Sequence, residues 1–259
     1  MPDLSIHKEA LATHGFCVVP GVLTPEEVKN VRTRLIAASE ESIRRGVPAH
    51  IESLDPNDAN IRVFNLIDLD AVFRDLILHP TAADLATELL GEGWMISNFT
   101  ANIAQPGSKS MAIHSDQGIV MPEPWLAPCS INIIWCLDDV DEGNGATRYL
   151  PESHKLTSRA ELPTDIAAHM KPFEADAGSI IAMDGRMWHT SGANTSRDRE
   201  RALLFGYYSR DFVRPQVNWN AALSPETQAH ITQPLFNRLG LGPTANINVS
   251  VNDGVMTKT

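Results

Sequence analysis

Several features that would each point to a class of protein are scarce or missing in this sequence. It has only three cysteines, Cys17, Cys129 and Cys136, and no Cys-x-x-Cys pair. Any disulfide scheme leaves one thiol over, so free thiols in a reducing, cytoplasmic setting are expected. Basic residues are outnumbered: 21 Lys and Arg stand against 32 Asp and Glu, a formal net charge of −11. Nucleic acid demands a basic footprint, so no nucleic-acid partner is expected. An anionic membrane surface is disfavoured on the same ground. No apolar run approaches the roughly 20 residues that span a bilayer. Residues 1–9 are polar and charged, unlike a signal peptide. Low-complexity blocks, long linkers and internal repeats are missing too. A single domain over 1–259 is therefore expected, with a core at about 10–210 and a C-terminal extension at 211–259. A chain of 259 residues, 43% hydrophobic, can bury a substantial core without staples. Against these shortages, nine histidines beside three tyrosines stand out.

The first third reads as helical. Thr24-Pro25-Glu26-Glu27 combines a capping threonine, a proline whose fixed φ suits the first turn, and a glutamate that closes a capping box. Apolar residues recur at Val28, Val31, Leu35 and Ile36, a helical stripe. Ahead of it, residues 16–20 read as a short strand ending at Pro20. A second helix is expected from near Thr81 through Leu85, Leu89 and Leu90, with Gly91 as its stop. After Trp94 the pattern changes. Strand-like runs follow at 95–104, 110–115, 130–137, 147–150, 179–183, 187–189 and 201–208. Turn signals separate them, among them Gln105-Pro106-Gly107 and Asp184-Gly185. Many short strands with regular turns indicate a sandwich or barrel. The fold class expected is mainly β with flanking α, the barrel buttressed by N-terminal helices. The stretch after Pro215 is mixed and gives no clear pattern.

His-x-acid occurs three times, as His7-Lys8-Glu9, His50-Ile51-Glu52 and His114-Ser115-Asp116. The first lies on a segment that reads as a helix, where positions i and i+2 point apart. The second lies in a polar stretch between Pro48 and Pro56 that reads as a loop. His114 and Asp116 close a strand, where i and i+2 share a side. His189 ends another strand-like run before a turn at 190–194. Two imidazoles and one carboxylate leave open positions on a metal ion, the donor set of non-haem Fe(II) oxygenases. A lone histidine at a strand end is more often a hydrogen-bonded structural residue, so a fourth element matters. Arg201 stands twelve positions after His189, at the start of the next strand. A guanidinium there could grip a dicarboxylate in two-pronged fashion, which lysine does less well.

Further segments fall in a telling order. Residues 15–23 precede the first helix, and His114-Ser115-Asp116 follows. Next come Trp135-Cys136-Leu137-Asp138-Asp139 and Asn144-Gly145-Ala146-Thr147-Arg148-Tyr149-Leu150-Pro151-Glu152-Ser153-His154. Last is Trp188-His189-Thr190-Ser191-Gly192-Ala193-Asn194, leading to Arg201. Together they resemble the phytanoyl-CoA dioxygenase (PhyH) family of Fe(II)/2-oxoglutarate-dependent oxygenases, over roughly residues 10–210. The resemblance implies a double-stranded β-helix, or jelly roll, with N-terminal helices. It implies that His114, Asp116 and His189 bind Fe(II), that Arg201 grips the far carboxylate of 2-oxoglutarate, and that O2 is the oxidant. In two places the chain departs from the family pattern. The family has its arginine eleven residues after the second histidine; here that position is Glu200, between Arg199 and Arg201. Arg201 is preferred because it keeps the family's spacing to Tyr208, with Arg199 as fallback. The family's Pro-Gly-Ser-His reads Pro151-Glu152-Ser153-His154 here, a change expected to alter a turn rather than chemistry. Asp116 argues against the halogenating branch, which replaces this carboxylate.

The activity so implied is oxidation of an unactivated C–H bond of a small-molecule substrate, releasing succinate and CO2. Hydroxylation is the first expectation, with desaturation or ring chemistry as variants. The Asn144-Gly145-Ala146-Thr147 run resembles the branch that tailors secondary metabolites. Asn102, Asn132 and Thr147 are candidates to help hold 2-oxoglutarate; the plainer reading of each is a satisfied strand or turn group. Gln117, Trp125, Phe212 and Arg214 are candidate substrate contacts, with packing as their plainer reading. The resemblance is compatible with a homodimer. Two rivals stay open: a cupin-type metalloenzyme that ignores 2-oxoglutarate and needs no Arg201, and a non-catalytic binding domain on the same fold. Gly240-Leu241-Gly242-Pro243-Thr244-Ala245 fits a dinucleotide-binding fingerprint on paper only, since Pro243 removes an N–H and no strand–helix unit surrounds it.

Overall fold

Local signals set the helical layer. The computed structural model describes residues 3–241, 249–252 and 255–258. Gly242, Pro243, Thr244 and Ala245 of the Gly-rich run lie outside the described residues, as does part of 211–259. Helix α1 (Ser5–His14) leads into strand β1 (Phe16–Val19), and α2 (Pro25–Arg44) follows. The capping box at Thr24 forms in full: its hydroxyl accepts from the Glu27 amide, and its own amide donates to the Glu27 carboxylate at 2.8 Å. Val28, Val31 and Leu35 are buried on the inner face of α2, whereas Ile36, one position round, is 52% exposed. Strand β2 (Asn60–Val63) and helices α3 (Leu66–Leu69) and α4 (Ala71–Ile77) were not expected. Helix α5 (Pro80–Leu90) starts one residue earlier than expected, because His79 caps it by accepting from the Thr81 amide at 3.3 Å.

The remaining strands are β3 (Met95–Ala104), β4 (His114–Ser115), β5 (Ser130–Cys136), β6 (Arg148–Tyr149), β7 (Lys171–Pro172), β8 (Ile180–Asp184), β9 (Trp188–Thr190) and β10 (Arg201–Ser209). They form a six-stranded sheet in the order β1-β8-β5-β10-β3-β2 and a four-stranded sheet in the order β4-β9-β6-β7. Neighbours in both are antiparallel. Period-2 alternation assigns each face of the large sheet to its own core. Ala202, Leu204 and Tyr208 of β10 pack with Ile131, Ile133 and Trp135 of β5 against the helices. Leu203 faces the other way with Ile134 and Cys136, and Phe173, Met187 and Tyr149 come over from the small-sheet side. The result is a jelly roll with helices layered on its large sheet. Burial on both faces explains the continuous apolar stretch 133–136 in β5.

Two expected strands are shorter than their sequences suggest. Of 110–115, only His114 and Ser115 pair as a strand. Side chains take over ahead of them: Met111 donates its amide to Ser191 Oγ at 3.1 Å and accepts from Thr190 Oγ1 at 2.7 Å. Likewise 147–150 contracts to Arg148–Tyr149. The three cysteines are free thiols, with Cys17 and Cys136 buried. No helix among the described residues is long and apolar enough to cross a membrane.

Candidate active site

The antiparallel pairing of β4 with β9 puts His114 directly opposite His189, their ring centroids 4.3 Å apart. Ser115 is extended, at φ −118° and ψ 135°, which returns Asp116 to the same side before a single 3-10 turn, Asp116–Ile119, begins. Asp116 Oδ1 then lies 3.8 Å from the Nε2 atom of each histidine. That spacing is too long for hydrogen bonds. It is the spacing of three donor atoms turned toward one point, all within 4.8 Å of one another. The outer nitrogens are committed elsewhere. His114 Nδ1 donates to the Ala112 carbonyl at 3.0 Å and His189 Nδ1 to the Met187 carbonyl at 3.1 Å. A carbonyl only accepts, so both tautomers are fixed with a lone pair on Nε2. Burial holds His189 below the ordinary histidine range, which keeps it neutral and able to ligate. Around Asp116, Asn132 Nδ2 donates to Oδ2 at 2.9 Å, and the Tyr207 hydroxyl donates to the main-chain carbonyl at 3.0 Å. Burial pushes the Tyr207 phenol above its usual value, so it stays a donor. Two fixed imidazoles and one carboxylate oxygen fit a divalent transition-metal ion.

These residues line one end of a cavity of about 150 Å³ that also reaches Arg201. Arg201 begins β10 and is fully buried. Its Nη2 donates to Asn102 Oδ1 at 2.7 Å, while Nε and Nη1 have no partner. Burial lowers its pKa to about 10, so it is still cationic at neutral pH. A buried guanidinium with open N–H groups is costly unless an anion meets it. Arg62 also lines the cavity, but Asp55 holds it through two hydrogen bonds of 2.6 Å. Arg199 lies outside, in an exposed ion pair with Asp141 at 2.6 Å.

A three-ligand cluster joined to a buried, half-satisfied arginine in one jelly-roll cavity matches a recognised family. Residues 11–202 fit the phytanoyl-CoA dioxygenase (PhyH) pattern. The chain belongs to the PhyH family. It is therefore a non-haem iron, 2-oxoglutarate-dependent dioxygenase by class, as its motifs led us to expect. Among its relatives is Dioxygenase af480 of Aspergillus fumigatus, 47% identical over 241 residues, spanning 93% of this chain and 77% of the relative. Among solved structures, HygX from Streptomyces hygroscopicus, with nickel and 2-oxoglutarate bound, has a TM-score of 0.67 at 14% identity, covering 83% of this chain and 90% of its own. The 2-oxoglutarate-dependent carbocyclase SnoK from nogalamycin biosynthesis has a TM-score of 0.66 at 22% identity, covering 85% and 91%. Both likenesses bear on the fold.

Within this PhyH fold the expected site residues divide. His114, Asp116, His189, Arg201, Asn102, Asn132 and Thr147 all line the one cavity. Asn132, however, directs its amide to Asp116, and Asn102 directs its oxygen to Arg201. The proposed substrate contacts do not reach the cavity. Gln117 is buried and ties down its own loop, donating to the Ala127 carbonyl at 3.0 Å and accepting from the Cys129 amide at 2.7 Å. Trp125 is buried against Trp188 and donates to the Val120 carbonyl. Phe212 and Arg214 are exposed, beyond the end of β10. Tyr208, used to set the arginine register, faces the helices and donates to the Ile77 carbonyl. Sequence reasoning missed Arg62, Phe205 and Tyr207. Counting by twos from Arg201 would have found the last two, since they share its face of β10.

Proposed function

We propose that this chain hydroxylates a small molecule, using Fe(II) held by His114, Asp116 and His189 and 2-oxoglutarate anchored by Arg201. The observation that carries the reading is Arg201. Two of its guanidinium nitrogens are buried without a partner, in the same cavity as the three ligand atoms. A dicarboxylate reaching from the three ligand residues to Arg201 would satisfy both nitrogens. Bound iron and 2-oxoglutarate together supply the activation of O2, with succinate and CO2 as co-products, that lets an unactivated C–H bond be oxidised. The chain's own residues prepare the site for this. Asn102 aims the guanidinium by accepting from Nη2. The carbonyls of Ala112 and Met187 hold the two imidazoles in register. Phe205 and Met111 give the cavity apolar wall that limits water.

The cavity, about 150 Å³, is smaller than the roughly 300 Å³ or more that encloses a drug-sized ligand. It suits the co-substrate, with the substrate seated at the mouth, where the His114 side chain is 40% exposed. A role in tailoring secondary metabolites belongs to this reading and rests on the resemblance of the Asn144-Gly145-Ala146-Thr147 run to the branch that does so. An anaerobic Fe(II) titration with 2-oxoglutarate tests the reading. Wild type develops the weak charge-transfer absorption of the chelate and His189→Ala does not. Full-strength absorption in that variant removes His189 from the site. Screening small molecules for stimulated succinate release, with product masses 16 Da higher, tests hydroxylation itself.

A further inference from the structure

The two cavity asparagines look alike in sequence but face different partners. Asn102 gives its oxygen to Arg201, at the co-substrate end. Asn132 gives its amide nitrogen to Asp116 Oδ2 at 2.9 Å. Asn132 pairs with Met183 on one side and Tyr207 on the other, in the middle of the large sheet, so its backbone is held by two strands. The residue is 7% exposed, and its Oδ1 has no partner. Rotating the amide would set two acceptor oxygens face to face, so the orientation is determined by the carboxylate itself.

A carboxylate can bind a metal through one oxygen or through both. With Oδ2 tied to Asn132, Asp116 presents Oδ1 alone, 3.8 Å from each histidine Nε2. The difference matters for the reaction. Three one-atom ligands would leave room around a divalent ion for a co-substrate to bind. Tyr207 adds a second restraint by holding the Asp116 main-chain carbonyl at 3.0 Å.

We propose that Asn132 is a positioning residue for the metal rather than a 2-oxoglutarate contact: it holds the Asp116 carboxylate so that Oδ1 is the oxygen turned toward the two histidines. The proposal rests on the metal site read above, and the test separates the two. Mn(II) binding is measured by the loss of its free-ion electron paramagnetic resonance signal, without turnover, on wild type, His114→Ala, Asn132→Leu, Asn132→Ala and Asn102→Leu. Thermal unfolding of the metal-free proteins shows that each is folded. 2-Oxoglutarate affinity is then measured on the Mn(II)-saturated forms. The expected result is a crossed pattern. Both Asn132 variants bind Mn(II) about tenfold or more weakly, the usual effect of losing a partner behind a ligand, and keep 2-oxoglutarate affinity once saturated. Asn102→Leu keeps its Mn(II) affinity and loses 2-oxoglutarate affinity. Mn(II) affinity within twofold of wild type in both Asn132 variants overturns the proposal. So does an equal loss in Asn102→Leu, which would mark a general effect of cavity polarity. Unchanged Mn(II) binding in His114→Ala overturns the metal site itself.

Discussion

Arg201 and Arg199 differ by two positions and by everything that surrounds them. Arg201 is enclosed, with Asn102 as its single partner and two nitrogens open to the cavity. Arg199 sits in solvent against Asp141. The expected outcome is that Arg201→Lys raises the 2-oxoglutarate KM by about tenfold or more, because a point charge cannot replace a planar fork, while Arg199→Ala leaves it unchanged. Steady-state succinate production on both variants checks this, and the reverse ranking would move the anchor to Arg199. Glu152 offers a stability counterpart. It stands where the family pattern has glycine, and its φ is +62°. A side chain in this left-handed region costs roughly 1–2 kcal/mol. Its exposed contacts to Lys155 and His14 offset little of that. Glu152→Gly is expected to stabilise the fold by about 1 kcal/mol, read from the urea midpoint, with 2-oxoglutarate turnover unaltered. A lower midpoint would mean that those surface contacts outweigh the strain.

The turns at 141–147 and 190–194 meet backbone to backbone, and that contact holds β9, which carries His189, in place. Gly192 donates its amide to the Ala146 carbonyl at 2.9 Å. A Cβ on Gly192 would stand 2.4 Å from that same carbonyl oxygen. Gly192→Ala is therefore expected to push β9 away from the 141–147 turn, costing about 2 kcal/mol or more and weakening Mn(II) binding through His189. Chemical denaturation beside metal titration checks both, and a variant with wild-type values in each would show that the turn can shift freely. Elements of this kind mark the limit of what the sequence discloses. Helix α2 was legible because its cap, Pro25 and apolar stripe are local. β10 was legible as a strand, and Arg201 at its head, because its apolar and aromatic run is local too. The runs at 110–115 and 147–150 were legible as strands but not their short extent: ahead of β4, for one, the side chains of Ser191 and Thr190 take the Met111 backbone groups that a ladder would otherwise pair. β2 was hidden because its partner β3 lies about forty positions away and supplies the pairing. The meeting of His114, Asp116 and His189 was legible from strand geometry plus family resemblance. The different partners of Asn102 and Asn132 were not, because each depends on a strand distant in sequence.

At the scale of the whole molecule, the large sheet is covered on both faces, and this leaves some titratable groups enclosed far from the cavity's chemistry. His79 caps α5 and meets Trp135 edge-on, 5.5 Å between centroids. His154 packs against the backbone of Gly15, where a Cβ would fall 2.5 Å from its ring. Burial depresses the pKa of both below 6.5. For such a group the unfolded chain binds the proton more readily than the fold does. Stability is therefore complete above the unfolded value near 6.5 and is lost as pH falls through the depressed folded values. Carboxylates add a later stage. The hydrogen bond from Arg199 lowers Asp141, and those from the Thr24 amide and hydroxyl lower Glu27, so their contributions persist until pH falls below about 4. The metal-free protein is expected to lose melting temperature in two steps, one starting near pH 6.5 and one below about 4. His79→Asn keeps a capping side chain and removes one of the titrating groups. Its melting temperature should therefore fall less steeply than wild type between pH 7 and 5. An unchanged slope would show that His79 takes up its proton in the fold as easily as in the open chain, and would remove burial as the source of the acid sensitivity at that position.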